Sequence, residues 1–209
     1  MSMSIPYERT GRIHQKARTR NALVHATRDL LAEGTTPTVE QAADAARVSR
    51  TTAYRYFPNQ RALITACFPQ VAAGSLLPDP APEDPVVRLN AVVEAVTRLV
   101  VEHEPELRAQ LRLSLEPDGS EGGELPFRTG RAIAWIEEAV APLQTRIPEP
   151  QLRRLVLAIR SAVGIEALVW LTDIAGLSRD DAVDVMRWSA SALLQAGLAD
   201  DSAAAGSAA

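Results

Sequence analysis

The 209-residue chain has one cysteine, Cys67, one lysine, Lys16, and only 4% aromatic residues. A lone cysteine excludes an internal disulfide framework and a cysteine-rich structural zinc site. Few aromatics beside abundant alanine argue against a β-sandwich, since aromatic and β-branched side chains favour strands and alanine favours helices. The apolar runs fall far short of the roughly 18 residues that suggest a membrane span, and no charged-then-apolar leader opens the chain. A cytoplasmic protein without a membrane partner is expected. The histidines His14, His25 and His103 are scattered and Cys67 stands alone, so neither a metal cluster nor a nucleophile with its base is present. No catalytic residue, metal ligand or cofactor is expected, and an enzyme is the least supported class.

What the chain does have is apolar mass and unevenly divided charge. With 46% hydrophobic and 23% charged residues it can build a packed core, in one large domain or two small ones. The net charge of −4 is an average of two opposite ends. Residues 1–61 hold ten Arg or Lys against five acids, a net +5, and the remainder carries −9. A phosphate backbone responds to the local field of the face presented to it, so the acidic average does not exclude a nucleic-acid partner.

Residues 1–14 lack apolar periodicity and read as a mobile basic arm with Arg9 and Arg12. From Gln15 to Glu33, Leu23, Ala26, Leu30 and Leu31 recur at helical spacing, and Gly34 follows as the terminator. Thr38 three residues before Gln41 is a capping-box pair, opening a short second helix with Val39, Ala42, Ala43 and Ala46 on one face. Arg47 and Val48 form a tight link. Ser49 caps a third helix that runs to about Tyr56, with Val48 placed to staple against Ala53. A fourth helix carries Leu63, Ala66, Cys67 and Val71.

After a proline-rich connection, Asp84 and Pro85 start a fifth helix burying Val86, Leu89, Val93, Val96 and Val100. Pro105, Leu107, Leu111 and Leu115 mark a sixth. Residues 116–124 read as a loop, and three further helices are expected over about 127–147, 150–175 and 178–198. The fold class is all-α, about nine helices, with a domain boundary near residue 61 and a disordered tail at 199–209.

Two short helices joined by a tight turn, the second of them polar and basic, are the sequence form of a helix-turn-helix. The stretch from Val48 to Phe57 needs only Ala53 and Phe57, four apart, to anchor it on a core. Arg50, Thr51, Thr52, Tyr54, Arg55 and Tyr56 are then free to face a partner. Arginine reaches guanine bidentately, threonine offers bases a hydroxyl and a methyl, and a tyrosine hydroxyl donates to phosphate. Tyr54 or Tyr56 alternatively packs partly in the core. Arg9, Arg12, Lys16, Arg18 and Arg20 read equally as a solvated tail or as contacts to phosphate or the minor groove.

The run Thr38-Val-Glu-Gln-Ala-Ala-Asp-Ala-Ala46, followed by Val48-Ser-Arg-Thr-Thr-Ala-Tyr-Arg-Tyr-Phe-Pro-Asn-Gln-Arg-Ala-Leu63, resembles the DNA-binding domain of the TetR family of transcriptional regulators. The resemblance covers about residues 15–65. It implies backbone contacts from Thr38, Thr52, Tyr54 and Tyr56, while Ser49, Arg50, Thr51 and Arg55 are contact candidates from their own chemistry and their place on the helix. This sequence departs from the family in three places. Arg47 stands where glycine is usual, Thr51 replaces a small residue, and Gln60 replaces a phosphate-clamping lysine, a role transferred here to Arg61.

The resemblance also implies a homodimer, a double-stranded DNA operator as partner, and a larger helical domain, residues 62–198, binding a small-molecule effector. The last two long helices would pair across a twofold axis, using Leu152, Leu155, Val156, Ile159, Val163, Leu168 and Leu171 of one and Ala182, Val185, Met186, Ser189, Ala190, Ala192 and Leu193 of the other. Pocket candidates are His103, Arg108, Arg112, Phe127, Trp135, Glu166 and Trp170, each otherwise a core or ion-pair residue. The expected function is a regulator, in the repressor mode, that reads a palindromic operator and is released by its effector. An effector-independent regulator and a helical protein-binding adaptor are the alternatives.

Overall fold

The computed structural model describes residues 7–67, 74–116 and 131–207, with side chains described over 14–67, 74–116 and 131–199. Every described element is helical: α1 (Tyr7–Ala32), α2 (Val39–Ala45), α3 (Arg50–Tyr56), α4 (Gln60–Cys67), α5 (Pro85–Glu102), α6 (Glu104–Leu115), α7 (Arg131–Val140), α8 (Glu149–Ala162), α9 (Ile165–Val169) and α10 (Arg179–Ser207). The chain divides into two compact units, Met1–Gln70 with Pro105–Phe127, and Val71–Glu104 with Arg128–Ala209.

Within the first unit, α1 begins at Tyr7, so residues 7–14 of the expected arm are helical. Its far end closes on Gly34 at φ 82°, where the Gly34 N–H donates to the Leu31 carbonyl at 3.0 Å and Thr35 N–H to Leu30 at 2.9 Å. These are the paired bonds of a Schellman turn, which need a left-handed residue. The same pattern ends α2. Arg47 N–H donates to Asp44 O at 3.2 Å and Val48 N–H to Ala43 O at 2.9 Å, with Arg47 itself at φ 54°.

An arginine held in that conformation costs about 1 kcal/mol or more relative to glycine. Arg47→Gly should therefore stabilise the first unit by about 0.5–1 kcal/mol, the relief of strain exceeding the extra entropy glycine brings to the unfolded chain. Urea denaturation measures the difference; a loss of stability would show that the Arg47 side chain contributes more than its backbone costs.

The core of this unit gathers Leu23, Val24 and Leu31 of α1, Val39, Ala42 and Ala43 of α2, Ala53 and Phe57, Leu63, Ile64 and Cys67 of α4, and Ala109 and Leu113 of α6. The expected boundary after residue 61 thus gives way: α4 and most of α6 pack with the N-terminal helices. The leucines that mark α6 do not define its buried face. Leu115 is 75% exposed and Leu107 and Leu111 are half-buried, while Glu106, Ala109, Gln110 and Leu113 are buried. Glu106 is tolerated there because Arg28 lies 3.8 Å away. Arg28 also donates to the Cys67 carbonyl at 2.8 and 2.5 Å, satisfying an acceptor that the end of α4 leaves open. Burial pushes the Cys67 thiol up to about 12, so it remains protonated as a packing residue.

In the second unit, α5 packs on α7 and α10, and α8 on α7 and α10. Asp84 accepts from Val86 N–H at 2.7 Å and Pro85 occupies the first turn of α5, as expected. The expected seventh helix stops early because Pro142 has no N–H to give to Glu138, and a 3₁₀ turn, Ala141–Thr145, follows. Arg88 takes up the freed acceptors, donating to Glu138 O at 2.7 Å and Ala139 O at 3.0 Å.

The expected eighth helix is broken at Gly164 and ends in a π turn, Trp170–Ile174. A Cβ at Gly164 would lie 2.0 Å from Arg160 Nη1 and 2.4 Å from Glu166 Oε2, so the glycine makes room for the Arg160–Glu166 ion pair. The last helix opens on Ser178 and Asp181 as expected, Asp181 N–H donating to Ser178 Oγ at 3.1 Å. It then continues to Ser207 instead of fraying at 198, since the alanine-rich end contains no proline to stop it.

Among the described residues no single helix is long and apolar enough to cross a membrane. The bent pair Glu149–Ala162 with Ile165–Ile174 has the length and composition, but its Leu152, Leu155, Val156, Ile159, Ile165 and Leu168 are buried in the unit's own core.

Candidate nucleic-acid interface

The geometry of α2, the turn and α3 is fixed by caps at both starts and by two anchors. Thr38 Oγ1 accepts from Gln41 N–H at 3.2 Å while Gln41 Oε1 accepts from Thr38 N–H at 2.8 Å, completing the capping box. Ser49 Oγ accepts from Thr52 N–H at 3.3 Å and donates to Thr52 Oγ1 at 2.8 Å. Ala53 is fully buried and Phe57 nearly so, which pins one face of α3 to the core. Arg50, Thr51, Tyr54 and Arg55 are consequently exposed on the other side. Thr52 and Tyr56 are half-buried, with Tyr56 packed against the core cluster, so the partly-core alternative holds for Tyr56. Tyr54 is 41% exposed.

Two of the outward residues are held by acids of α2. Arg50 lies 3.6 Å from Asp44, both ends solvent-exposed. The Tyr54 hydroxyl donates to a Glu40 carboxylate oxygen. This bond holds the Glu40 carboxyl below its usual range and raises the Tyr54 phenol above 10, since removing the phenol proton would set two negative groups together. Glu40→Gln should bring the Tyr54 ionisation back toward 10. The check is the alkaline titration of phenolate absorbance, with Tyr54→Phe identifying which of the three tyrosines moves; an unchanged curve would mean that the bond does not persist in solution. The sign for acid is opposite: the folded state lowers the Glu40 pKa, so this bond's contribution is present above the ordinary carboxylate range and is lost as pH falls through it.

Arg55 is exposed and makes no ion pair or hydrogen bond among the described residues. Arg61, to which the clamp role was transferred, is by contrast engaged within the unit. Its guanidinium donates to Leu113 O at 2.7 Å and Glu116 O at 3.1 Å, the open carbonyls at the end of α6. A helix C-terminus with unsatisfied acceptors and a negative dipole end captures a nearby cation, so Arg61 serves the core of the unit. Gln60 is also engaged, donating to Pro37 O at 2.9 Å and Thr36 O at 3.3 Å. Lys16, Arg18 and Arg20 of α1 are exposed, and the Arg20 guanidinium lies 5.6 Å from the Phe57 ring centroid. The side chains of Arg9 and Arg12 lie outside the described residues.

The nominated effector residues divide between the two units. Phe127 lies outside the described residues. Arg108 and Arg112 belong to the first unit, where Arg112 is exposed and pairs with Glu116 at 3.4 Å. In the second unit His103 caps the end of α5, Trp135 is buried in the core, Glu166 pairs with Arg160 at 3.3 Å, and Trp170 is 58% exposed. A shallow cleft of about 140 Å³ lies instead between α8 and α10, lined by Ile147, Gln151, Arg154, Leu155 and Ala158 against Leu193, Ala196 and Gly197. Among the described residues no group of three or more His, Cys, Asp or Glu side chains is placed to hold a metal ion.

Part of the surface nominated for pairing is buried, while its Val185, Ser189, Ala192 and Leu193 stay at least partly exposed. Leu152, Leu155, Val156, Ile159, Val163, Leu168 and Leu171 are all buried, as are Ala182, Met186, Ala190 and Leu194. These fill the second unit's own core. On α8 and α10 the large apolar residues left exposed are Leu157 at 43%, Val185 at 37% and Trp188 at 71%, with Ala192 and Ala196 extending the stripe on α10. Trp188 escaped the sequence reading, although its position three residues after Val185 is the signal that could have found it.

No family model matches the chain, and none of the curated proteins matches it. Among solved structures the chain is similar to a TetR-family transcriptional regulator from Streptomyces coelicolor, at 19% identity and a TM-score of 0.46, over 86% of this chain and 97% of that one.

Proposed function

We propose that the protein is a DNA-binding transcriptional regulator that reads a palindromic operator as a homodimer. The observation that carries this is α3. It is fixed at its start by Ser49, pinned from behind by Ala53 and Phe57, and presents Arg50, Thr51, Tyr54 and Arg55 outward. A reading helix has to be rigid toward the protein and chemically varied toward the groove, and these residues supply guanidinium, hydroxyl and methyl groups for base edges and phosphates. The exposed Lys16, Arg18 and Arg20 add positive charge in the same unit.

Dimerisation is supported by the stripe Val185, Trp188, Ala192 and Ala196, since contiguous apolar surface of this kind ordinarily marks an interface and a second copy is the usual partner. Repression and release by a small-molecule effector come with the resemblance to the TetR family and not with the seven nominated residues.

Selection from random duplexes at moderate salt tests the reading. The expected product is a palindrome whose half-sites lie about 34–36 Å apart. Recovery of no motif would overturn it. Thermal-shift screening of chemically diverse small molecules, followed by operator release, tests the effector.

A further inference from the structure

The side chains of α2 and α3 form a short antiparallel ladder. Glu40 and Asp44, one turn apart on α2, engage Tyr54 and Arg50, one turn apart on α3. One is a hydrogen bond and the other an ion pair, and each joins a group suited to DNA to an acid. We propose that Glu40 and Asp44 set the specificity of the reading helix: Asp44 orients Arg50 for base-directed contact, and both acids oppose binding to backbone phosphates alone by holding Tyr54 and Arg50. The inference rests on the DNA-binding reading.

The physical argument compares two ways of binding. On a non-cognate duplex the protein gains chiefly from phosphate contacts and the counterions they release. Here Tyr54 and Arg50 would have to leave a carboxylate to meet a phosphate, exchanging one anionic acceptor for another, while the abandoned carboxylates repel the incoming strand. The exchange brings little benefit. On a cognate duplex, Arg50 still braced by Asp44 can present its remaining N–H donors to a base edge, which a guanidinium with five donors permits. The acids thus weaken indiscriminate binding while supporting the selective kind. They are positioning residues and act through Tyr54 and Arg50.

The test compares Glu40→Gln, Asp44→Asn and the double variant with wild type on two duplexes of equal length, the selected operator and a random sequence, between 50 and 200 mM salt. The expected result is that affinity for the random duplex rises about three- to tenfold, with a salt slope steeper by about 0.9 for each additional phosphate neutralised. Operator affinity should stay within about twofold, the lost bracing of Arg50 offsetting the added phosphate attraction, so the selectivity falls by nearly the whole of that factor. Glu33→Gln, removing an exposed acid elsewhere in the unit, reports the effect of net charge alone and should raise both affinities equally.

If the ladder variants raise both affinities equally, or neither, the inference is overturned while the DNA-binding reading stands. If wild type binds no duplex, both fall. Should Glu40→Gln lower the thermal midpoint, Asp44→Asn remains decisive, because the Asp44–Arg50 pair is exposed at both ends and carries no packing.

Discussion

Alanine at position 55 is expected to weaken operator binding about 10- to 100-fold, the loss of one bidentate base contact of about 1–3 kcal/mol, and to leave the stability of the first unit unchanged. The separation of the two effects follows from the geometry. Arg55 is exposed and bonds to nothing among the described residues, so its removal takes nothing from the folded state. The operator should also become degenerate at one position per half-site when selection is repeated with the variant.

Arg61→Ala should behave in the opposite way. Its guanidinium holds two carbonyls at the end of α6, and charge-assisted bonds of this kind contribute about 1.5–3 kcal/mol, so the urea midpoint should fall while base preference stays intact. Equilibrium binding and denaturation on both variants make the comparison. If Arg55→Ala leaves operator affinity unaltered, α3 is not the reading helix.

Trp188→Ala should weaken self-association about 30- to 1000-fold, as expected of a central aromatic worth about 2–4 kcal/mol at an interface. The residue is 71% exposed in the single chain, so it contributes little to the folding of its own unit. Met186, two positions earlier, is 1% exposed, and Met186→Ala should instead cost about 2–5 kcal/mol of stability. The contrast between these neighbours separates a surface reserved for a partner from one already used. Sedimentation across a concentration series reads the first effect and denaturation the second. Operator affinity should fall with dimerisation, since half-site spacing has meaning only for two linked reading helices. An unchanged association constant in Trp188→Ala would remove the outer stripe of α10 from the interface.

The periodicities, the Thr38 and Ser49 caps, the Asp84-Pro85 start and the Gly34 terminator were legible because each is local: the groups involved lie within four residues of one another. The same holds for the pinning of α3 through Ala53 and Phe57. The strain at Arg47 was legible only through the resemblance, which puts glycine at that position. The breaks at Pro142 and Gly164 were less legible. A proline and a glycine interrupt an apolar period without altering it, and the reading followed the period.

What depended on distant segments was not in the sequence in readable form. The leucines of α6 are periodic, yet the face buried is the one with Ala109, Leu113 and a glutamate, because Arg28 of α1 and Arg61 of α4 are there to receive Glu106 and the last carbonyls. An arginine looks alike in sequence whether it meets a phosphate or a helix end. Its role is decided by which acceptors come within reach, and those are brought by other helices. The sequence therefore determined that this is a helical protein with a capped, basic helix, α3, near its start, anchored by Ala53 and Phe57. The tertiary structure decided which arginines are engaged within the fold and which stay exposed, which acids pair with Arg50 and Tyr54, and which apolar side of the last helix stays exposed, since ion pairs and buried faces arise between segments that no local pattern records.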